Sequence, residues 1–204
     1  MQVQKLDLRK EMRKFYLPPV GEVEVIRVPK MQFVMVDGKG APEGSSFPGA
    51  IQTLYGLAFT IKFKAKKTLG VDFPVMPLEG LWWVKGGGFD AEKRDEWLWT
   101  LMIMQPSLVT KAVFAEAKEE LRQRKDPPMI KQARIESFDE GLCLQTMHIG
   151  PYSTEAETIT RMEAFAREKG FRMTGKHHEI YLGDPRRAAP SKLRTAIRHP
   201  VRET

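Results

Sequence analysis

The chain has 204 residues, of which 42% are hydrophobic and 29% charged, with a formal net charge of +7. That is chain enough to bury a core without staples, and too apolar for a disordered polymer. The one cysteine, Cys143, excludes an internal disulfide, and no apolar run reaches the roughly 18 residues needed to cross a bilayer. The N-terminal stretch MQVQKLDLRKEMRKF lacks the apolar centre of a secretion signal, so a cytoplasmic protein without a membrane partner is expected.

A basic balance raises the expectation of an anionic partner, but here the charge is scattered. Its densest clusters are Lys62, Lys64, Lys66 and Lys67, then Arg122, Arg124 and Lys125, then Arg186 and Arg187. The first two fall at the ends of expected helices, where cations meet the negative end of the dipole.

Residues 1–21 are polar, close on Pro18-Pro19, and read as a lead-in. Residues 23–28 and 31–38 are β-rich runs separated by Pro29-Lys30, which predicts a hairpin. Ser45-Ser46-Phe47-Pro48 starts a helix, with serine as cap and proline in the first turn, Ile51, Leu54, Tyr55, Ala58 and Ile61 at helical spacing, and the lysine cluster with Gly70 as its stop. Residues 73–84 read as a bent strand, and Gly86-Gly87-Gly88 as a flexible tip. Residues 97–104 form another strand, stopped by Gln105-Pro106. Thr110 or Ser107 caps a helix over about 110–125, bridging two halves.

The second half repeats that plan. Residues 133–138 and 142–150 predict a second hairpin around Asp139-Glu140-Gly141. Thr154 with Glu157 fits a capping box for the next helix, which Gly170 ends. A strand region follows over 171–182, then a last strand over 193–198 stopped by His199-Pro200. The expected fold is therefore α+β: two pseudo-twofold-related strand-helix-strand-strand modules sharing a mostly antiparallel sheet, with helices on one face. The helix-free face would form a concave saddle on the axis, a natural ligand cleft.

Two features stand out chemically. Trp82, Trp83, Trp97 and Trp99 lie in or beside adjacent strands, and Tyr55, Tyr152 and Tyr181 occupy comparable places in the two halves. Such rings are either plain core or a wall for planar and cationic ligands. Glu179 sits within a strand-like run and shares a face with Tyr181. It is either a cleft carboxylate, able to pair with a cation or move a proton, or an edge residue paired with Arg186. A bend at Pro77 leaves open which of Trp82 and Trp83 faces the cleft. His177-His178-Glu179 lacks helical metal-site spacing, and Cys143 reads as a core thiol, so no metal and no cofactor are expected.

VMPLEGLWWV (75–84), WLWTLMIMQP (97–106), HIGPYS (148–153) and GKHHEIYLGDPRR (175–187) together resemble the GyrI-like small-molecule-binding family over about residues 20–202. The resemblance implies one domain over 1–204: a lead-in (1–21), a first module (22–106), a linking helix (107–130) and a second module (131–204). It implies binding of hydrophobic, often cationic, aromatic compounds in a central cleft. The position matching the family's cleft acid is Glu179. A subset similar to cyclopropanoid cyclopropyl hydrolases opens the cyclopropane of DNA-alkylating compounds within an aromatic cage. Here Tyr55, Trp82, Trp83, Trp97, Trp99, Tyr152 and Tyr181 would supply the cage, with Glu179 and Tyr181 as catalytic candidates. About 20 residues precede the first strand, too few for the DNA-binding domain of regulator members, so direct DNA binding is not expected. An interaction with DNA gyrase is the remaining alternative.

Overall fold

The computed structural model describes residues 3–204. In chain order its elements are β1 (Gln4–Lys5), α1 (Leu8–Glu11), α2 (Arg13–Tyr16), β2 (Glu24–Val28), β3 (Met31–Lys39), α3 (Ser46–Thr68), β4 (Val71–Asp72), β5 (Leu78–Trp83) and β6 (Leu98–Gln105). Then come α4 (Lys111–Lys125), β7 (Arg134–Phe138), β8 (Gly141–Ile149), α5 (Glu155–Glu168), β9 (Phe171–Met173), β10 (His177–Tyr181) and β11 (Arg194–Glu203).

The main sheet runs β2-β8-β11-β10-β5-β6-β3-β7, with β9 on the end of β11. Its pairings are antiparallel. The order reads the same from both ends once the halves are exchanged: β2 corresponds to β7, β8 to β3, β11 to β6 and β10 to β5. The pseudo-twofold axis therefore passes between β5 and β10, where Gly80 lies opposite Glu179.

Neither expected hairpin forms. β2 pairs with β8 of the second half, and β7 pairs with β3 of the first. The reason lies in the connections. A two-residue hairpin favours positive φ in its turn, which Pro29 cannot adopt. At the second connection neither Asp139 nor Glu140 has positive φ. Each chain therefore runs on instead of reversing, and the two five-residue arms cross the molecule to the other half.

α3 and α5 cover one face of the sheet, as expected, and α4 packs along α3. Thr110 caps α4 by accepting from the Val113 N–H. Two other expected caps are absent: Ser45 makes no side-chain bond to α3, and Thr154 turns back to the Pro151 carbonyl rather than capping α5. The last strand also outruns its expected stop. β11 continues through Pro200, where it changes partner from β8 to β9, so the missing N–H falls at the switch.

The helix-free face is not an open saddle. Its centre is covered by the lead-in, whose Leu8, Phe15 and Tyr16 are buried. Phe15 and Lys14 carbonyls accept from Arg198 and Gln145 of the sheet, and Val20 bridges to Met147. The open saddle expected on the helix-free face is thus absent, because the lead-in fills its centre.

Packing under α3 depends on Gly38, whose absent Cβ lets the Trp99 ring lie against the backbone; a Cβ there would fall 2.1 Å from that ring. Trp99 is fully buried and cannot retreat. Gly38→Ala should destabilise the protein by about 1–3 kcal/mol, measured by urea denaturation. An unchanged midpoint would contradict this packing.

Candidate ligand-binding site

Alternation along the central strands decides what meets above the axis. β5 points Leu78, Gly80 and Trp82 to the helix side, and its partner β10 points His177, Glu179 and Tyr181 the same way. β11 adds Thr195 and Ile197. Glu155, the first residue of α5, approaches from above, so that ligand atoms of Glu155, His177 and Glu179 lie within 4.8 Å of one another.

Gly80 makes this convergence possible. A Cβ on it would lie 2.8 Å from Trp82 Nε1 and 2.9 Å from the Tyr181 hydroxyl. With that space free, Trp82 Nε1 donates to the Tyr181 hydroxyl at 3.1 Å. Tyr152 meets Tyr181 edge-on at 5.9 Å, and Phe47 of α3 stacks on Trp82 at 5.7 Å. His177 Nε2 donates to Glu179 Oε1 at 3.1 Å. Above His177 lies Phe89 of the β5–β6 loop, stacked at 4.5 Å.

The electrostatics of this floor are unusual. Burial, reinforced by the negative charge of Glu179, pushes the Glu155 carboxyl up to about 9, so it keeps its proton at neutral pH. Burial and the same charge push Tyr181 well above the usual phenol range and Tyr152 up to about 12. Thr195 and Glu179 stand close enough to the Glu155 carboxyl to act on it, but Glu155 Oε1, Thr195 Oγ1 and His177 Nδ1 are buried with no partner in good hydrogen-bond geometry among the described residues. Glu179 is 9% exposed, and no lysine or arginine pairs with it among the described residues.

The other face of the same two strands is the reverse case. Glu79 and His178 point there, joined by Glu140 and Arg198. His178 donates through Nε2 to Glu79 at 3.0 Å and through Nδ1 to Glu140 at 2.9 Å. Arg198 donates to Glu140 at 3.0 Å, and the Tyr16 hydroxyl donates to Glu79. Burial alone would push His178 down, but the Glu140 charge outweighs it and holds the ring at about 9. Burial would raise Glu140, yet His178 and Arg198 bring it to about 2. Two carboxylates thus meet two cations, and this buried set is internally balanced.

The predicted residues divide accordingly. Trp82, Tyr152, Glu179 and Tyr181 come together, and Trp97 touches the Trp82 edge at 5.4 Å. Trp83 does not belong with them: it faces the lead-in side, beneath Lys176 at 3.3 Å. That answers the register question in favour of Trp82. Trp99 is core, sealed under Phe47 and Gly38. Tyr55 is half-buried on α3, its hydroxyl at the Leu78 backbone; it also lines a shallow hollow of about 340 Å³ with Phe59 and Leu121. Arg186 pairs with Asp184 rather than Glu179. Cys143 is buried in the core, its thiol pushed up by burial. The lysine cluster pairs locally, Lys62 and Lys66 with Asp72 and Lys64 with Glu116.

Sequence reasoning missed Glu155 and Phe89, and it set His177 aside together with the metal reading of His177-His178-Glu179. His177 had a usable signal, since it stands two residues from Glu179 and must share its face. Glu155 had none, because an acid in a first helical turn is ordinary dipole complementarity. The trio could receive a cation, although His177 Nδ1 lacks the outer acceptor that a metal-ligating histidine ordinarily has.

Residues 21–202 match the family described as GyrI-like small molecule binding domain. Among solved structures, a conserved protein from Listeria innocua is 46% identical with a TM-score of 0.90, the match covering 97% of this chain and 100% of that one. A hydrolase from Listeria innocua is 43% identical with a TM-score of 0.87, covering 98% and 100%. The C-terminal domain of EcmrR shares the fold at 11% identity and a TM-score of 0.55, covering 90% and 98%. No curated protein matches the chain. Among the described residues, no helix is long and apolar enough to cross a membrane.

The raised Glu155 carboxyl sets a pH dependence. Its folded value of about 9 lies well above the ordinary carboxylate value near 4.5. The bound proton therefore favours the native state fully below about pH 4.5, and this is lost as pH rises toward 9. Glu155→Gln removes the penalty. The variant should gain stability over wild type with pH, by at most about 1.4 kcal/mol per unit between pH 5 and 9. Urea denaturation at several pH values checks it, and a constant difference would contradict it.

Proposed function

The chain belongs to the GyrI-like small-molecule-binding domain family, and from that premise we propose that it binds hydrophobic, cationic aromatic xenobiotics between α3 and α5. Trp82, Tyr152 and Tyr181 stack on the planar body, Tyr55 stands at the α3 side, and Glu179 meets the positive or polar group. The observation that carries this reading is the contrast between the two faces. Glu79 and Glu140 on one face have His178 and Arg198 as counter-charges, whereas Glu155 and Glu179 on the other have one proton and no lysine or arginine. A cation supplied by a ligand would complete that side.

A second reading rests on the acid pair itself. Glu155 holds a proton beside Glu179, an arrangement suited to acid–base work. Full-length relatives at 42% and 43% identity include proteins described as hydrolases. In this reading the cleft opens a cyclopropane conjugated to a carbonyl, as in cyclopropanoid DNA-alkylating compounds. Glu179 takes a proton from water as the water oxygen bonds to the ring methylene. The ring carbon–carbon bond breaks, its electron pair moves to the conjugated carbonyl oxygen, and the Glu155 or Tyr181 O–H supplies that oxygen with a proton.

Titration of intrinsic tryptophan fluorescence with cationic aromatic dyes tests the first reading. Saturable quenching is expected, weakened roughly tenfold to a hundredfold in Glu179→Gln, as befits loss of a charged partner. Quenching unaffected by that change would count against it. Chromatography of a spiro-cyclopropane substrate tests the second: product should form with wild type and be lost in Glu179→Gln, while full turnover by the variant removes Glu179 from the chemistry.

A further inference from the structure

We propose that the floor beside Glu179 carries a second, aryl-binding subsite, which Phe89 fills with its own ring until a ligand displaces it. The proposal rests on the ligand-binding reading above and adds a requirement on ligand shape: a flat aryl group joined to the cationic one.

The argument begins with what Phe89 touches. Its ring lies parallel to the His177 imidazole, 4.5 Å away with an interplanar angle of 19°. On its other side it meets Trp97 at 5.4 Å. Trp97 in turn meets Trp82, whose indole N–H reaches Tyr181. One aromatic ring thus already sits in a slot floored by His177 and walled by Trp97. His177 donates to Glu179 at 3.1 Å, so that slot adjoins the carboxylate directly. The geometry is that of an offset-stacked arene pair, the arrangement an aryl ligand would adopt on the same imidazole.

The second observation concerns how Phe89 is attached. Gly86, Gly87 and Gly88 precede it, with φ of 101°, 98° and 79°, which side chains rarely adopt. The turn is closed by two backbone bonds, Gly87 N–H to Val84 and Val84 N–H to Gly88. Beyond Phe89 the segment is pinned again, by Trp97 Nε1 donating to the Asp90 carbonyl at 2.7 Å and by Arg94 over the Trp97 ring. Three glycines on one side and a pinned base on the other make a short arm whose tip can swing out. A core phenylalanine would not need such a mount. His177 is 1% exposed and its Nδ1 has no partner among the described residues, so the ring that covers it leaves a polar atom unanswered. A ligand aryl carrying a donor at its rim could answer it.

A plug of this kind lowers apparent affinity by the fraction of time it occupies the slot. The test uses two probes with one cation, N-methylpyridinium and 1-methyl-4-phenylpyridinium, titrated by tryptophan fluorescence. In wild type the phenyl group should tighten binding about tenfold. Phe89→Ala should tighten the phenyl compound by a further threefold or more and leave N-methylpyridinium within about twofold. Phe89→Leu, which refills the slot, should resemble wild type. A gain in affinity cannot come from a misfolded variant. Weaker binding of the phenyl compound by Phe89→Ala, or an equal shift for both probes, overturns the subsite. If N-methylpyridinium binds in a Glu179-dependent way and the phenyl group adds nothing, the subsite fails while the cation-binding reading stands. If neither probe binds, both fail. A ligand-free readout separates the plug from the ligand: diethyl pyrocarbonate should modify His177, followed by mass spectrometry, several-fold faster in Phe89→Ala than in wild type. Equal rates overturn the plug.

Discussion

The structure turns on the antiparallel seam between β5 and β10, where Gly80 faces Glu179 on the pseudo-twofold axis. A side chain at position 80 would collide with Trp82 and Tyr181 together. Its absence lets an indole, a phenol and a carboxylate converge on one patch. The seam also fixes orientation, because alternation sends Glu79 to one face and Glu179 to the other. Everything proposed about ligands follows from that division.

The two faces solve opposite problems. On the lead-in side, burial of Glu79 and Glu140 is balanced by His178 and Arg198, and the α2 segment closes over them through Tyr16 and the Phe15 carbonyl. The side-chain donors and acceptors of that arrangement are fully paired. On the helix side, two carboxyls share the floor with one histidine, one of them holds its proton, and three polar atoms have no partner in good hydrogen-bond geometry among the described residues. A folded protein tolerates such a patch only where something else benefits from it. Trp82, Tyr152 and Tyr181 lie around it, and this pairing of aromatic rings with carboxyls that lack a lysine or arginine is what the ligand-binding proposal rests on.

Much of this was legible in the residues. The repeat of strands and helix and the α+β class follow from spacing and alternation, and alternation puts Glu179 and Tyr181 on one face; that this face is the cleft side is what the family resemblance implies, and spacing alone leaves Glu179 open between a cleft and an edge. What could not be read was pairing at a distance. Pro29-Lys30 looks like a hairpin turn because it separates two β-rich runs, yet proline's fixed φ sends the chain straight on, and only the partner half reveals where β2 goes. The open saddle is expected on the helix-free face because residues 1–21 read only as a polar lead-in, with nothing in them that places them on the sheet. Their Phe15 and Tyr16 carry no periodic signal long enough to announce a plug. Glu155 was hidden by a different ambiguity, since an acid starting a helix looks the same whether it meets solvent or another carboxylate.

The central claim is that charge recognition happens on the helix side of the β5–β10 seam. A crystal structure with 1-methyl-4-phenylpyridinium bound tests it most directly. The pyridinium is predicted over Glu179, between α3 and α5, in contact with Trp82 and Tyr181. The compound seated instead in the hollow between Tyr55 and Leu121, or on the lead-in face near Tyr16, with Glu179 untouched, would contradict the account.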